Sequence, residues 1–383
     1  MREAPWLTAA RGRAYMIILA LVLAVSAVGV AGSRFGSGAR TVTDFIPFYA
    51  AGIMVREGHP VGAYRYDALV QVEARYADVG HGVLPFMYPP VFLVFCGWIA
   101  ALPQAGAYAV FEALGLLPLL LCLWWMLRQR RWAILPLLAA PAFLVNLGSG
   151  QSGFFAAAAF AGAAVLIERF PGLAGACLGL LVFKPHFALL VPVALLAAGR
   201  WRALTCCAAV AALLCGLSLV DLHLSVWQGF FAQAAMMRHV LERSTSGLLA
   251  ISPFGAVHAA GAGLTAAFAV QAVCTVLCAA AVIVAARRRS DGRGEIALVA
   301  AAALCATPYA MDYDLAVTMV PIVWITAEAQ QTGWRPWEKF VLAVAYLLPL
   351  FARVSVLLIG VQPAPLVLGV LLLLTWRRVV GRS

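Results

Sequence analysis

Residues 264–286 read LTAAFAVQAVCTVLCAAAVIVAA and run straight into Arg287-Arg288-Arg289. The stretch carries no charge and exceeds the roughly 20 residues that a helix needs to cross the ~30 Å hydrocarbon layer of a bilayer. An apolar run of that length closed by arginines is a membrane span with its basic cap kept on the cytoplasmic side. Outward from it the pattern recurs. Val91–Leu127 ends at Arg128-Gln129-Arg130-Arg131, the run 203–220 follows Arg200–Arg202, and 364–376 ends at the arginines of 377–382. Shorter apolar stretches lie at 132–146, 154–167, 173–186, 187–198, 296–309, 314–327 and 339–358. Near the amino terminus, Ala14–Ala31 follows Arg2, Arg11 and Arg13. It resembles a signal peptide in charge order, but it is long enough to span, and no small-residue cleavage site precedes the aromatic segment beyond it.

Composition demands the same class. Of 383 residues, 64% are hydrophobic and 11% charged, against about 25% charged in an ordinary soluble domain. A globule of this size lacks the interior to bury two thirds of its residues. The net charge of +11 does not indicate nucleic acid, because the 27 Lys and Arg are scattered at the ends of apolar runs and form no basic face. The nine cysteines have no metal-ligand or disulfide spacing and read as small buried hydrophobes. The expectation is an all-α polytopic membrane protein, one domain over residues 1–383 with about 11–13 transmembrane helices and an ordered outer first loop, 32–89. One irregularity is the block Val91–Leu127, which must cross an odd number of times although Leu102-Pro103 invites a hairpin.

With every basic group inside, both termini are cytoplasmic and five polar segments fall outside: 32–89, Asn146–Gln151, Lys184–His186, Asp221–Ser252 and Thr307–Asp314. They hold most of the chemistry-bearing side chains, and polar groups concentrated on one face of a hydrophobic protein mark a site. Thr43-Asp44-Phe45-Ile46-Pro47-Phe48-Tyr49-Ala50-Ala51-Gly52 sets Asp44 among apolar neighbours, either as a base in a cleft or as a helix N-cap. Gln151, after a Gly-rich turn, can hydrogen-bond a sugar hydroxyl or cap the following helix. Lys184-Pro185-His186 interrupts an apolar run, where an unpaired cation is costly. A phosphate would satisfy Lys184, as would snorkelling to headgroups. Asp312 and Asp314 have a spacing that can hold a divalent cation with a phosphate or simply form an acidic loop. Arg238, His239, Glu242 and Arg243 in the fourth outer segment suit a phosphate or acidic headgroup, or are solvated charges. No nucleotide fingerprint, zinc spacing or hydrolase triad occurs.

Taken in order, Asp44-Phe45, Tyr49, Ala51-Gly52, Gly58, Tyr64, Tyr88-Pro89-Pro90, Gly150-Gln151 and Lys184-Pro185, with a looser Asp312-Tyr313-Asp314, resemble the family-87 glycosyltransferases. These are multispan enzymes of the C-type glycosyltransferase fold that include polyprenyl-phosphate-mannose-dependent alpha-1,2-mannosyltransferases of actinobacterial lipoglycan assembly. The resemblance covers roughly residues 14–325, and the carboxy-terminal third matches no actinobacterial enzyme closely, which leaves the acceptor open. It implies transfer of a sugar, mannose in the nearest pattern, from a polyprenyl-phosphate donor to a glycolipid or glycan acceptor. The site would lie on the outer, periplasmic side of the inner (plasma) membrane, with inversion and without metal or other cofactor. Asp44 would be the general base. Lys184, then His186, Arg238 and His239, would bind the donor phosphate, and Tyr49, Tyr88, Gln151, Asp312 and Asp314 are the substrate-binding candidates. The rival class is a transporter or flippase of a lipid-linked sugar, which should show paired halves with matching broken helices. The sequence shows no such symmetry. A purely structural envelope subunit would leave Asp44 and Lys184 without a role.

Overall fold

The computed structural model describes residues 43–78, 84–127, 134–243, 245–288 and 291–381, with helical positions 10–12, 14–22 and 25 from the amino-terminal run. The rest of that run, the outer stretch 32–42 and the basic group 128–131 lie outside the described residues. Every regular element among the described residues is helical. Four helices are long and apolar enough to cross a membrane: Gln104–Met126, Trp201–Leu222, Leu264–Arg287 and Glu338–Ile359.

Several other apolar stretches fold as broken helices, and proline accounts for the breaks. The block Val91–Leu127 becomes Pro90–Ile99 and Gln104–Met126, with Pro103 at the start of the second helix. Proline lacks an N–H and pushes the residue before it out of helical geometry. The ten-residue first limb rises only about 15 Å, so only the second limb is long enough to span by itself. Further on, Pro171–Gly179 passes through a 3-10 turn at Leu180–Phe183 and stops at Lys184, and Pro185 begins the next short helix. The run 296–327 likewise breaks between Gly292–Cys305 and Met319–Thr332, leaving a 3-10 turn at Asp312–Thr318.

Two short helices form the centre. Gly153–Leu166 and Gly292–Cys305 are buried over almost their whole length and pack on each other. Both are rich in alanine, which lets backbones approach closely where lipid supplies no hydrophobic drive between helices. Gly292–Cys305 rises about 21 Å, and its two ends differ in chemistry. At the amino-terminal end Arg200 binds Glu295 at 2.7 Å and Glu168 at 3.3 Å. Beside them Trp324 Nε1 donates to Asp291 at 3.1 Å and Arg293 lies over Trp125. At the other end Ile251 N donates to Ala310 O and Ser252 Oγ to Pro308 O. Arg200 and Arg293 thus lie at one pole and the breaks at 146–152, 184 and 307–314 at the opposite one, where Arg353 also meets Asp312.

The segment 43–78 is an ordered cap at that second pole. Ile46–Arg56 packs on Pro90–Ile99 and on Tyr66–Glu73. The contact needs Gly52, where a Cβ would sit 2.2 Å from the Cys96 carbonyl oxygen. Glu73 is buried in this cap, its Oε1 without a hydrogen-bond partner among the described residues. Burial pushes its carboxyl up to about 8.

Two predictions follow from this packing. Gly52→Val should separate the cap helix from Pro90–Ile99 and destabilise the protein by about 1–3 kcal/mol or more, the usual range for overpacking, read as a lowered midpoint of thermal unfolding. Glu73 holds a proton in the folded state that it releases in the unfolded chain once pH exceeds its ordinary value. Its contribution is therefore complete at acid pH and fades as pH rises toward about 8. Glu73→Gln should flatten that decline, and an unchanged pH dependence of the unfolding midpoint would refute the assignment.

Candidate functional site

The site begins with a charge that cannot stand alone. Lys184, stranded at the helix break, has a side chain 3% exposed, and its Nζ lies 2.5 Å from Oδ1 of Asp314, which is 0% exposed. Asp314 Oδ2 also accepts from the backbone N–H of Met311 at 3.1 Å. The ammonium is bordered by the rings of Tyr313, Phe187 and Tyr88 at 4.9, 5.1 and 6.0 Å. It therefore does not snorkel. Its second hydrogen bond runs to Ser152 Oγ at 3.4 Å.

From Ser152 the polar contacts lead to Asp44. Tyr88 Oη is 2.6 Å from Ser152 Oγ and donates to Gln151 Oε1 at 3.1 Å. Gln151 Nε2 donates to Asp44 Oδ2 at 3.4 Å. A hydroxyl donates one proton while accepting others, so one consistent direction runs through the set. Lys184 donates to Ser152, Ser152 to Tyr88, Tyr88 to Gln151 and Gln151 to Asp44. Every dipole points its positive end at the Asp44 carboxylate, and such chains polarise one another.

Local sequence explains the placement. Gly150 adopts φ +75°, ending the helix Pro141–Ser149 and turning the chain so that Gln151 and Ser152 precede Gly153–Leu166. Asn146 Nδ2 holds the turn by donating to Gln151 O at 2.9 Å, and Asp44 N donates to Ser149 O at 2.9 Å. Phe45 anchors Asp44 from below, packed against Tyr108 and Phe111. Tyr88 is held by Phe48, Phe92 and Phe183. Neither capping alternative fits. The helix Ile46–Arg56 starts at Phe45 without a side-chain cap bond, and Gly153–Leu166 starts at Ser152, whose N–H reaches Gln151 Oε1 only at 3.4 Å while the Gln151 amide bridges Tyr88 and Asp44.

The remaining candidates are placed as follows. Asp312 turns away from Asp314, its Oδ2 lying 3.5 Å from Arg353 and its Oδ1 accepting from Tyr313 N at 2.9 Å. The two carboxylates thus serve different cations. His186 is half-buried beside Tyr309, its Nε2 without a hydrogen-bond partner among the described residues. Tyr49 lies apart from the network, donating to Leu102 O at 3.0 Å and packing on Tyr76. Helix Ala234–Arg243, which carries Arg238 and an exposed His239, packs on its chain neighbours Leu224–Ala232 and Thr245–Leu249. The side chain of Arg238 lies outside the described residues.

Residues 86–311 match the family model Glycosyltransferase family 87. The chain belongs to this family. None of the curated proteins or solved structures compared with it matches. The family match takes in Tyr88, Gln151, Ser152 and Lys184 and stops just before Asp312, while Asp44 lies ahead of it.

Sequence reasoning overlooked Ser152, Arg353 and Glu112, and quoted Tyr313 without giving it a role. Ser152 gives no signal, because hydroxyls are common beside turns. Arg353 and Glu112 do give one, Glu112 as the single charge in 91–127 and Arg353 as the single charge beyond Lys339 in the apolar stretch to 358, where charge is rare and usually functional. Glu112 is buried near Asn146 with neither carboxyl oxygen in a regular hydrogen bond.

The buried ion pair generates a test. Removing one partner leaves an uncompensated buried charge, so Lys184→Met and Asp314→Leu should each destabilise by about 3–5 kcal/mol, and the double variant by much less than their sum. Additive losses in denaturation of the micelle-solubilised protein would show that the two charges do not interact.

Proposed function

We propose that this family-87 member transfers a sugar, mannose in the first instance, from a polyprenyl-phosphate donor to a hydroxyl of a lipid-linked or glycan acceptor. The reaction would run on the outer face of the plasma membrane with inversion at the anomeric carbon. The carrying observation is the donor chain that ends on a partly exposed Asp44. Four successive donors directed toward one carboxylate favour its anionic form, the form a general base needs.

In this reading the acceptor hydroxyl gives its proton to Asp44 as its oxygen attacks the anomeric carbon. The bond between that carbon and the phosphate oxygen breaks, and the polyprenyl phosphate leaves with the electron pair. Negative charge grows on the phosphate during this step, and fixed positive groups stabilise it most in a water-poor site. Lys184 supplies field from behind, its ammonium held by Asp314, while half-buried His186 stands near the same break as a hydrogen-bonding group. The position of Arg200 and Arg293 at the far pole from Asp44 is in line with the outer placement, because basic residues near span ends are retained on the cytoplasmic side. A transporter would have no need of a base supplied in this way.

The test is sugar transfer from synthetic polyprenyl-phosphate mannose to mixed membrane glycolipids. Asp44→Asn should lower kcat by about 10²–10⁴-fold, the usual share of general base catalysis, with the fold and donor binding retained. Equal rates would remove Asp44 from the mechanism. Movement of the lipid-linked sugar across the bilayer, without any new glycosidic bond, would favour the transporter.

A further inference from the structure

Lys184 is the first cation that sequence suggests for a donor phosphate, and the structure shows it already neutralised. Its side chain is 3% exposed and in tight contact with a fully buried carboxylate. To reach an incoming phosphate it would have to abandon Asp314, leaving a bare buried charge, which is costly.

Arg353 presents the opposite case. It sits in Glu338–Ile359, one of the four membrane-length helices, where an arginine is tolerated only with a partner or a functional cavity. Yet its side chain is 59% exposed, and the 3.5 Å contact with Asp312 is its hydrogen bond among the described residues. A guanidinium carries five N–H donors in a fork that matches two phosphate oxygens at once, and here most of that capacity is unused. Through Asp312 the arginine adjoins Tyr313 and Asp314, and hence the chain leading to Asp44. Burial holds the Asp312 carboxyl above its ordinary range against the pull of Arg353, so Asp312 tolerates becoming neutral when that cation turns elsewhere.

We propose that Arg353 is the residue that binds the phosphate group of the donor lipid, exchanging its loose contact with Asp312 for a two-pronged contact with phosphate oxygens. This rests on the phosphate-donor reading above and adds to it the residue that makes the contact. Lys184 and Asp314 then fix the backbone on which the exchange takes place. Asp312 acts as a placeholder that keeps the guanidinium at the site between turnovers.

The experiment measures binding of undecaprenyl phosphate to the full-length protein in nanodiscs, with inorganic phosphate and phosphatidic acid as competitors. Sugar transfer is assayed in parallel. Arg353→Gln should weaken binding at least tenfold, Arg353→Lys should recover part of it as a point charge without the fork, and Asp312→Asn should bind as tightly as wild type or more so. Competition by millimolar inorganic phosphate would support recognition of the phosphate group itself. Displacement by phosphatidic acid as effectively as by the polyprenyl lipid would assign Arg353 to ordinary membrane lipid and overturn the donor role. Asp312→Asn weakening binding as much as Arg353→Gln would make the pair a structural strut and also overturn the proposal. If wild type binds and transfers but Arg353→Gln matches it, the inference alone fails. A folded wild type that does neither defeats the phosphate-donor reading and the inference with it.

Discussion

The ion pair between Lys184 and Asp314 is the constraint on which the rest of the polar pole depends. Taking both charges out of water costs several kcal/mol per ion, and the fold offsets this with a close contact, the Met311 N–H, the Ser152 hydroxyl and three aromatic rings around the ammonium. The pair joins two breaks that are 130 residues apart in sequence. Gly153 makes a third segment fit beside them, since a Cβ there would lie 2.3 Å from the Tyr313 carbonyl oxygen and 2.6 Å from Asn146 Oδ1. With those three segments locked, Ser152 and Gln151 have one position available, and Asp44 is tied to them through Ser149 and Gln151.

A membrane protein can afford irregular backbone only where protein or a water-filled cavity surrounds it. Here the breaks at 150–152, 184 and 306–311 are gathered at one end of the two buried central helices, with Glu338–Ile359 and Gln104–Met126 packed beside them. Their freed backbone groups find partners in one another, as Ile251 N with Ala310 O and Asn146 with Gln151 O demonstrate. The site is therefore not an addition to the bundle. It is where the interrupted helices satisfy each other's hydrogen bonds.

How much of this was legible in sequence depends on the kind of signal. Spans such as Leu264–Ala286 are written in composition and length, and the convergence of Asp44, Tyr88, Gln151 and Lys184 followed from placing every basic cap on one side. Short central helices were harder. Gly153–Leu166 and Gly292–Cys305, 14 residues each, were marked by the apolar stretches 154–167 and 296–309, but their burial comes from tertiary packing alone and could not be read from them. Pairing was illegible for a different reason. Asp312 and Asp314 read as one acidic motif, yet residues two apart on a tight 3-10 turn need not share a direction, and here each meets a different cation. Arg353 was visible as a lone charge in an apolar run, but its partner lies 41 residues away and no local pattern links them.

The two ion pairs at this pole differ in the way their tasks require. Lys184 and Asp314 are 2.5 Å apart and almost wholly buried, whereas Arg353 and Asp312 are 3.5 Å apart with the arginine largely exposed. A buried pair resists exchange because either ion released alone faces a low dielectric, in which an isolated charge is several kcal/mol worse off. In the Arg353 pair only the carboxylate is buried, and burial already favours its neutral form, so an anion with better geometry can replace it without stranding a charge. The same turn, Asp312–Thr318, thus presents a permanent neutralised charge on one side and an exchangeable one on the other. Asp44, fed by donors that originate on the permanent pair, keeps its orientation whether or not the exchangeable pair is engaged. In the proposed reaction, base and phosphate contact can then be occupied in turn without disturbing the frame that holds them.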